Sequence, residues 1–283
     1  MDWGDIRVFL AVAREGTLIA AARKLGQTQP TMGRRLRALE EAVGYCLFQR
    51  TADGFALTDE GTAMLGPAER MEEAALAIER QIAGQAQHLE GALRITSFDW
   101  FGGQMLAPIL AEFAGLHPRV TVELMTDPRY LNLSRREADL AFRIGAFDEA
   151  DIVSRKLMYI RYGVYVRKGV AHPIAGKGAG ANLLTMDSGF AGTPDDSWLQ
   201  KILPKARIVF RSNSRDVQAR LCLQGVGVAV LPIPLADALA GLERVKLGSE
   251  PPGREVWVGY HRDLRRLARL RALLDLVVAR LAN

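Results

Sequence analysis

Arg23, Lys24, Arg34, Arg35, Arg37 and Arg50 crowd into one short stretch, against only Glu40 and Glu41 at its far end. Wound as a helix, the middle of this stretch places Met32, Leu36, Leu39 and Val43 at spacings of four, three and four, which is one apolar stripe. Pro30, Thr31, Arg34, Arg37 and Ala38 then fall on the opposite face, with Arg35 at the side. A helix face that only solvates itself usually mixes charge signs. A face of one sign can neutralise phosphates, and Arg and Gln side chains can read base edges in the major groove of a duplex. The candidate contacts to double-stranded DNA are Thr28, Gln29, Pro30, Thr31, Arg34, Arg35, Arg37 and Arg50; a merely solvated basic face is the alternative.

Other residue types that could do chemistry do not assemble. Cys46 and Cys222 belong to no CxxC or other metal spacing, and His88, His117, His172 and His261 show no HxxxH or HExxH pattern, so no metal is expected. Cys46, between Tyr45 and Leu47, reads as a core thiol. The run Gly176-Lys177-Gly178-Ala179-Gly180 lacks the spacing of a phosphate loop, and Gly225-x-Gly227 has no third glycine at dinucleotide spacing, so no cofactor is expected. Arg262, Arg265, Arg266 and Arg269 read as a solvated helix face.

The basic helix needs a frame. Ile6, Phe9, Leu10 and Ala13 give a first amphipathic helix ended by Gly16; Thr17 can cap a second over Leu18–Leu25, stopped by Gly26. Thr28 can cap the third, whose first turn tolerates Pro30, and Gly44 closes it. Leu47-Phe48 and Phe55-Ala56-Leu57 flank Asp53-Gly54, a turn signal, and predict a hairpin. Three short helices and a hairpin make a winged helix-turn-helix. A long helix is expected next, from Thr58 or Asp59 to about Gln85. Its Met64, Ala68, Met71, Ala75, Ile78 and Ile82 alternate spacings of four and three, a seam suited to pairing two helices, with packing on its own domain as the alternative.

From Gly91 the texture changes to strands alternating with helices, which predicts α/β architecture with parallel sheets. Strands are expected at Leu93–Thr96, Val120–Met125, Asp139–Ile144 (after a short helix), Ile152–Met158, Tyr162–Arg167, Val226–Leu231 and Glu255–Tyr260. Helices are expected at Gln104–Leu116, Trp198–Leu203, Val217–Gln224 and Leu264–Leu281. The pattern restarts after Asp148, so two α/β units with a cleft between them are expected. A chain of 283 residues suits two or three domains, and a net charge of +5 matters mainly for where it is concentrated. No apolar run approaches the ~18–20 residues of a membrane span. Asp2 and Asp5 stand where a secretory leader would carry basic residues, so a cytoplasmic protein without a membrane partner is expected.

At this point the chain resembles the LysR family of transcriptional regulators. The resemblance runs through Phe9-Leu10-Ala11-Val12-Ala13, Gly16-Thr17, Ala20-Ala21-Ala22, Leu25 and Gln29-Pro30-Thr31. It continues through Arg34-Arg35-Leu36, Leu39-Glu40, Gly44, Leu47-Phe48-Gln49-Arg50, Leu57-Thr58 and Gly61. Gly33 departs from a position that is usually serine in that family, which removes a hydroxyl and costs ~1 kcal/mol of helix propensity. More thinly, Gly91-x-Leu93-Arg94-Ile95, His117-Pro118-x-Val120, Asp139-Leu140-Ala141-Phe142-Arg143, Gly225-Val226-Gly227, Leu231-Pro232 and Tyr260-His261-Arg262 follow in the family's order.

The resemblance implies a DNA-binding head over 1–58, a dimerising linker helix over 59–88 and a periplasmic-binding-protein-like effector domain over 89–283. Within that domain, subdomain I covers about 89–158 and 262–283 and subdomain II about 159–261. It also implies a dimer or dimer of dimers on an interrupted palindromic operator, with RNA polymerase as a further partner. In such sensors an effector touches the loop after the first strand, here Ser97-Phe98-Asp99-Trp100-Phe101-Gly102-Gly103, so Ser97, Asp99, Trp100, Phe101, Thr126 and Arg143 are the candidate effector residues. Core packing is the alternative for Trp100 and Phe101. Asp99 would repel an anion unless paired, with Arg143 as the candidate partner, which favours an apolar ligand carrying a donor or positive charge. Two other function classes stay open. One is an enzyme fused to a DNA-binding head, without a visible catalytic set; the other is an architectural DNA binder, for which two α/β units are needless. No enzymatic activity is expected.

Overall fold

A computed structural model describes residues 2–84, 89–126, 131–190 and 192–282. The chain divides into two compact units, Met1–Glu79 and Arg80–Asn283.

The first unit opens with α1 (Trp3–Glu15), started by the Asp2 carboxylate, which accepts from the Gly4 amide at 2.6 Å. Gly16, left-handed at φ 69°, ends it. Thr17 Oγ1 accepts from the Ala20 amide at 3.2 Å and starts α2 (Leu18–Leu25); α3 (Gln29–Val43) follows after Thr28 and closes at Gly44, φ 79°. Ile6, Phe9, Leu10, Met32, Leu36, Leu39 and Leu47 are fully or nearly fully buried where the three helices meet, each side chain contributing ~1.5–3 kcal/mol of burial. The hairpin pairs β1 (Phe48–Thr51) with β2 (Gly54–Leu57) in register Phe48↔Leu57 to Thr51↔Gly54, so its turn is Ala52-Asp53 rather than Asp53-Gly54. Gly54 is the residue that permits docking: a Cβ there would stand 2.3 Å from the Gly16 carbonyl oxygen, beside the bond from the Phe55 amide to that same oxygen. Glu40 ties α3 to the hairpin by accepting from the Leu47 amide at 2.7 Å.

Next, α4 (Asp59–Gly84) runs through Pro67. Its start packs on the head: Ala68 is buried in the helical core with Met64 and Leu65 against it, and Arg14 of α1 reaches Glu72 at 2.6 Å. Further along, Met71 and Ile78 are exposed by 42% and 61% and Ala75 is half-buried. The expected seam therefore divides, its first part packing on its own domain and its later part facing solvent. The side chain of Ile82 lies outside the described residues.

In the second unit β3 (Gly91–Ser97) leads into a continuous helical segment: α5 (Asp99–Phe101), a π-helical stretch (Gly102–Leu106) and α6 (Ala107–Leu116). Then come β4 (Val120–Thr126), β5 (Leu140–Ile144), β6 (Ile152–Ile160), β7 (Tyr162–Arg167), β8 (Asn182–Thr185), α7 (Pro194–Ile202), β9 (Arg207–Arg211) and α8 (Arg215–Leu223). The chain closes through β10 (Val228–Pro232), α9 (Ile233–Asp237), β11 (Leu242–Val245), β12 (Arg254–His261) and α10 (Ala268–Leu281). One sheet has the order β4-β3-β5-β12-β6 and the other β11-β7-β10-β8-β9.

Several expectations are corrected here. The sheets are mixed rather than parallel: β3 runs parallel to β4 and β5, but β12 is antiparallel to β5 and β6, and β10 and β11 are antiparallel to β7. Residues 131–139 make turns where a short helix is expected. Strand β12 belongs to the first sheet, so the chain returns from the second sheet between Val245 and Arg254, not at residue 262. A buried apolar strand reads alike in either sheet, which is why its pattern cannot assign it. Cys46 is exposed, because Leu47 and not its neighbour fills the core beneath the hairpin; Cys222 is the buried thiol. Among the described residues no helix is long and apolar enough to cross a membrane.

Candidate DNA interface and effector cleft

On the head, the buried stripe Met32-Leu36-Leu39 fixes which way α3 turns. Gln29, Pro30, Arg34 and Arg37 are exposed, and Thr31 and Arg35 are half-buried. Arg34, Arg37 and the exposed Arg50 of β1 form no ion pair among the described residues, whereas Arg35 leans back toward Asp5 of α1 at 3.9 Å. The Arg50 guanidinium stands 5.7 Å from the Phe55 ring centre, steadied by its own hairpin. Thr28 occupies the cap position but gives α3 no side-chain cap; its hydroxyl pairs with that of Thr31 at 2.9 Å. The opening amides of α3 thus keep their donors for an outside acceptor such as a phosphate. Nothing but Leu18 Cδ1, at 3.9 Å, faces a Cβ placed on Gly33, so its lack of a side chain is not imposed by packing.

The second site is a cavity of ≈ 380 Å³ in the sensor, lined from strand ends of both sheets and the segments beside them by Phe98, Asp99, Trp100, Thr126, Ile144, Tyr162, Met186, Phe190, Thr193, Asn213, Ser214, Arg215 and Arg254. Of the six expected effector residues, Asp99, Trp100 and Thr126 line it. Ser97 is buried, its hydroxyl donating to the Phe98 carbonyl at 3.1 Å, and Phe101 is wholly buried against Phe98 and Phe142, so both serve the core. Arg143 is not Asp99's partner. It is buried elsewhere, donating to Glu149 at 3.1 Å and to the Leu131 carbonyl at 2.7 Å, with its guanidinium over the Phe147 ring. Position on β5 sends this side chain away from the cleft.

Asp99 instead accepts a hydrogen bond from the Ser214 hydroxyl, a contact that spans the two subdomains. Ser214 also starts α8 by accepting from the Val217 amide at 3.2 Å. Beside it, Arg215 donates to Gln218 Oε1 at 3.0 Å, to the Val230 carbonyl at 2.9 Å and to Asp195, which is completely buried at the start of α7. Arg254, at the first residue of β12, approaches the other Asp195 oxygen at 3.6 Å. Burial pushes the Tyr162 hydroxyl up to about 12, so it stays a neutral donor in the wall at neutral pH. Sequence reasoning missed Tyr162, Met186, Phe190, Thr193, Asn213, Ser214, Arg215 and Arg254. Pro194-Asp195-Asp196 was the available signal, a pair of acids beside Trp198 whose burial demands cations from elsewhere in the chain. Among the described residues no group of three or more His, Cys, Asp or Glu is placed to hold a metal.

Comparison with known proteins follows the same division. Residues 3–62 match the family described as bacterial regulatory helix-turn-helix protein, lysR family, and residues 86–282 match the LysR substrate binding domain. The Mau operon transcriptional activator of Paracoccus denitrificans is 30% identical over 258 residues, covering 91% of this chain and 89% of its own. The HTH-type transcriptional regulator CrgA of Neisseria meningitidis serogroup C is 28% identical over 297 residues, covering 99% and 97%. The solved structure of CrgA, a LysR-type transcriptional regulator from Neisseria meningitidis, superposes with a TM-score of 0.61 at 26% identity over 100% of both chains. Full-length CbnR complexed with its target DNA shares the fold, with a TM-score of 0.60 at 20% identity over 98% and 99%. A third helix with exposed arginines in one unit and a polar-anchored cleft in the other thus accompany two family matches that cover nearly the whole chain, and the protein belongs to the LysR family of transcriptional regulators.

Proposed function

We propose that this regulator reads an interrupted palindromic operator through Gln29, Pro30, Thr31, Arg34 and Arg37 of α3, with Thr28 at its start and Arg35 and Arg50 positioning it on the backbone. The observation that carries the reading is the set of exposed arginines on α3 and β1 without acidic partners among the described residues. Exposed cations left unpaired on one face are available to displace counterions from a duplex. The later part of the α4 seam, Met71 and Ile78, supports pairing into a dimer or a dimer of dimers, which matches a two-fold operator to a two-fold protein. In this reading the protein works in the cytoplasm, performs no chemical turnover and has RNA polymerase as a further partner.

The cleft between the subdomains is the effector site in the same proposal. A ligand there alters DNA binding only to the degree that it binds one arrangement of the protein better than another. Gel-shift titrations test the DNA half. Arg34→Ala should weaken operator binding and relax discrimination at one base pair by ~1–3 kcal/mol. Arg50→Ala should weaken binding evenly across sequences and lower the salt slope by about 1. Unchanged affinity in both variants contradicts the assignment of this face.

A further inference from the structure

We propose that the effector is a zwitterion with an apolar body, its ammonium on Asp99 and its carboxylate on Arg254. The inference rests on the reading of the cleft as the effector site and adds the chemical class. It follows from how charge is compensated in the cavity wall. Asp99 has the Ser214 hydroxyl as its partner, and no cation pairs with it among the described residues. A neutral donor orients a carboxylate without cancelling its charge, so this wall attracts a cation.

Elsewhere in the lining the group with donors unmet is a cation. Arg215 hydrogen-bonds the carboxylate of Asp195, which Arg254 only approaches, while the neighbouring buried Asp196 accepts from the Met186 amide and from Gln200. The two arginines are not equivalent. Arg215 is nearly buried, and its terminal nitrogens are engaged by Gln218, Val230 and Asp195. Arg254 keeps 28% of its side chain exposed, lines the cavity, and meets Asp195 at 3.6 Å, too long for a hydrogen bond. Its planar fork is therefore the group with donors to spare for a carboxylate. Thr193 also lines the cavity, and its own hydroxyl is buried without a hydrogen-bond partner among the described residues.

With Asp99 lacking a cation among the described residues and Arg254 keeping free donors, a zwitterion meets both groups at once. A dicarboxylate would set a second anion against Asp99, and a simple amine would leave Arg254 unmet. Phe98, Trp100, Tyr162, Met186 and Phe190 supply the walls for the apolar body, and ≈ 380 Å³ suits one compact molecule.

Calorimetry on the full-length protein tests this with L-phenylalanine, L-leucine, L-methionine and 4-(aminomethyl)benzoate, the last to span a wider charge separation. Each is paired with its analogue lacking the carboxylate and its analogue lacking the amine, and succinate serves as the dianion. The expected result is that at least one zwitterion binds and that both its single-charge analogues bind about tenfold or more weakly, as loss of a charge-assisted contact requires. Arg254→Gln should bring the zwitterion and its amine to nearly equal affinity, and Asp99→Asn should do so for the zwitterion and its acid. Arg254→Lys, which keeps the charge facing Asp195, should retain part of the carboxylate preference and provides the comparison if Arg254→Gln is poorly folded. Succinate or a plain acid binding more tightly than every zwitterion, or no zwitterion binding at all, overturns the proposal. Hydrogen exchange separates this failure from failure of the cleft itself, using any compound from a metabolite screen that alters operator binding. Protection of Phe98–Trp100 and Asn213–Arg215 by a non-zwitterion overturns the class and leaves the site; such a compound protecting neither segment overturns both.

Discussion

Arg34 and Arg37 on the head and Arg215 and Arg254 in the cleft are the same residue type in opposite surroundings. The first two stand in solvent on one helix and have no acidic partner among the described residues. The other two come from α8 and β12 and converge on Asp195, which has no exposed surface. Water keeps the head arginines charged at little cost, so they remain available to any polyanion that approaches. Burial removes that solvent from Arg215, which is compensated directly by Asp195, while the partly exposed Arg254 stands 3.6 Å from the same carboxylate. In the proposed reading, DNA recognition draws on uncompensated charge, whereas ligand recognition draws on donors and acceptors left unmet in a largely compensated site. One consequence is that the same substitution type should have different readouts in the two places.

The sharpest break in that comparison is Asp195→Asn. Removing the carboxylate leaves the buried Arg215 without the anion it hydrogen-bonds, and the unfolding free energy of the sensor should fall by about 3–5 kcal/mol in urea denaturation. By contrast, Arg37→Ala should change stability by no more than ~0.5 kcal/mol, as solvent-exposed substitutions generally do. A mild loss in Asp195→Asn would mean that the two arginines are not held by this carboxylate.

Assembly sharpens the comparison from the other side, because unpaired arginines act cooperatively only when two heads are joined. Met71→Glu combined with Ile78→Glu should yield monomers by light scattering, and operator affinity should fall with the loss of the second half-site. A double variant of unchanged size would place the dimer contact elsewhere. A smaller effect is expected at Gly33, where a Cβ meets only Leu18 at ordinary contact distance. Gly33→Ala should stabilise the head by ~1 kcal/mol through helix propensity, with the basic face left in place, as thermal unfolding would show. Thiol labelling should disturb least of all. In the native protein Cys46 should react and Cys222 should stay silent until denaturant is added, since burial pushes the Cys222 thiol up to about 12. Two fast-reacting thiols would contradict the packing under β10.

The head was largely legible in the sequence because its determinants are local. The stripe Met32-Leu36-Leu39, the glycines at 16, 26 and 44 and the acceptor Thr17 each act within a few residues, and the structure uses them in that way. The cleft was legible only at Asp99 and Trp100, directly after β3, and at Thr126, the last residue of β4. Arg143 looked like the natural partner of Asp99, but strand direction sends it to Glu149 and Phe147. The actual partner, Ser214, lies 115 residues away and is brought there by the crossing between sheets. Strands β8, β9 and β11 are only four or five residues long and escaped pattern reading. With them went the topology that carries Asp195, Arg215 and Arg254 to one place. Register and crossover are set by pairing between distant segments, and no local period encodes them.

Selection from a pool of randomised duplexes, carried out in parallel with the wild-type protein and with Arg34→Ala, tests the central claim most directly. The account predicts that the wild type enriches two related half-sites, separated by about one helical turn or a multiple of it. It further predicts that Arg34→Ala enriches the same arrangement with information lost at one position in each half-site, while the remaining positions keep theirs. No enrichment by the wild type, or an unaltered motif from Arg34→Ala, would contradict the assignment of α3 as the reading helix.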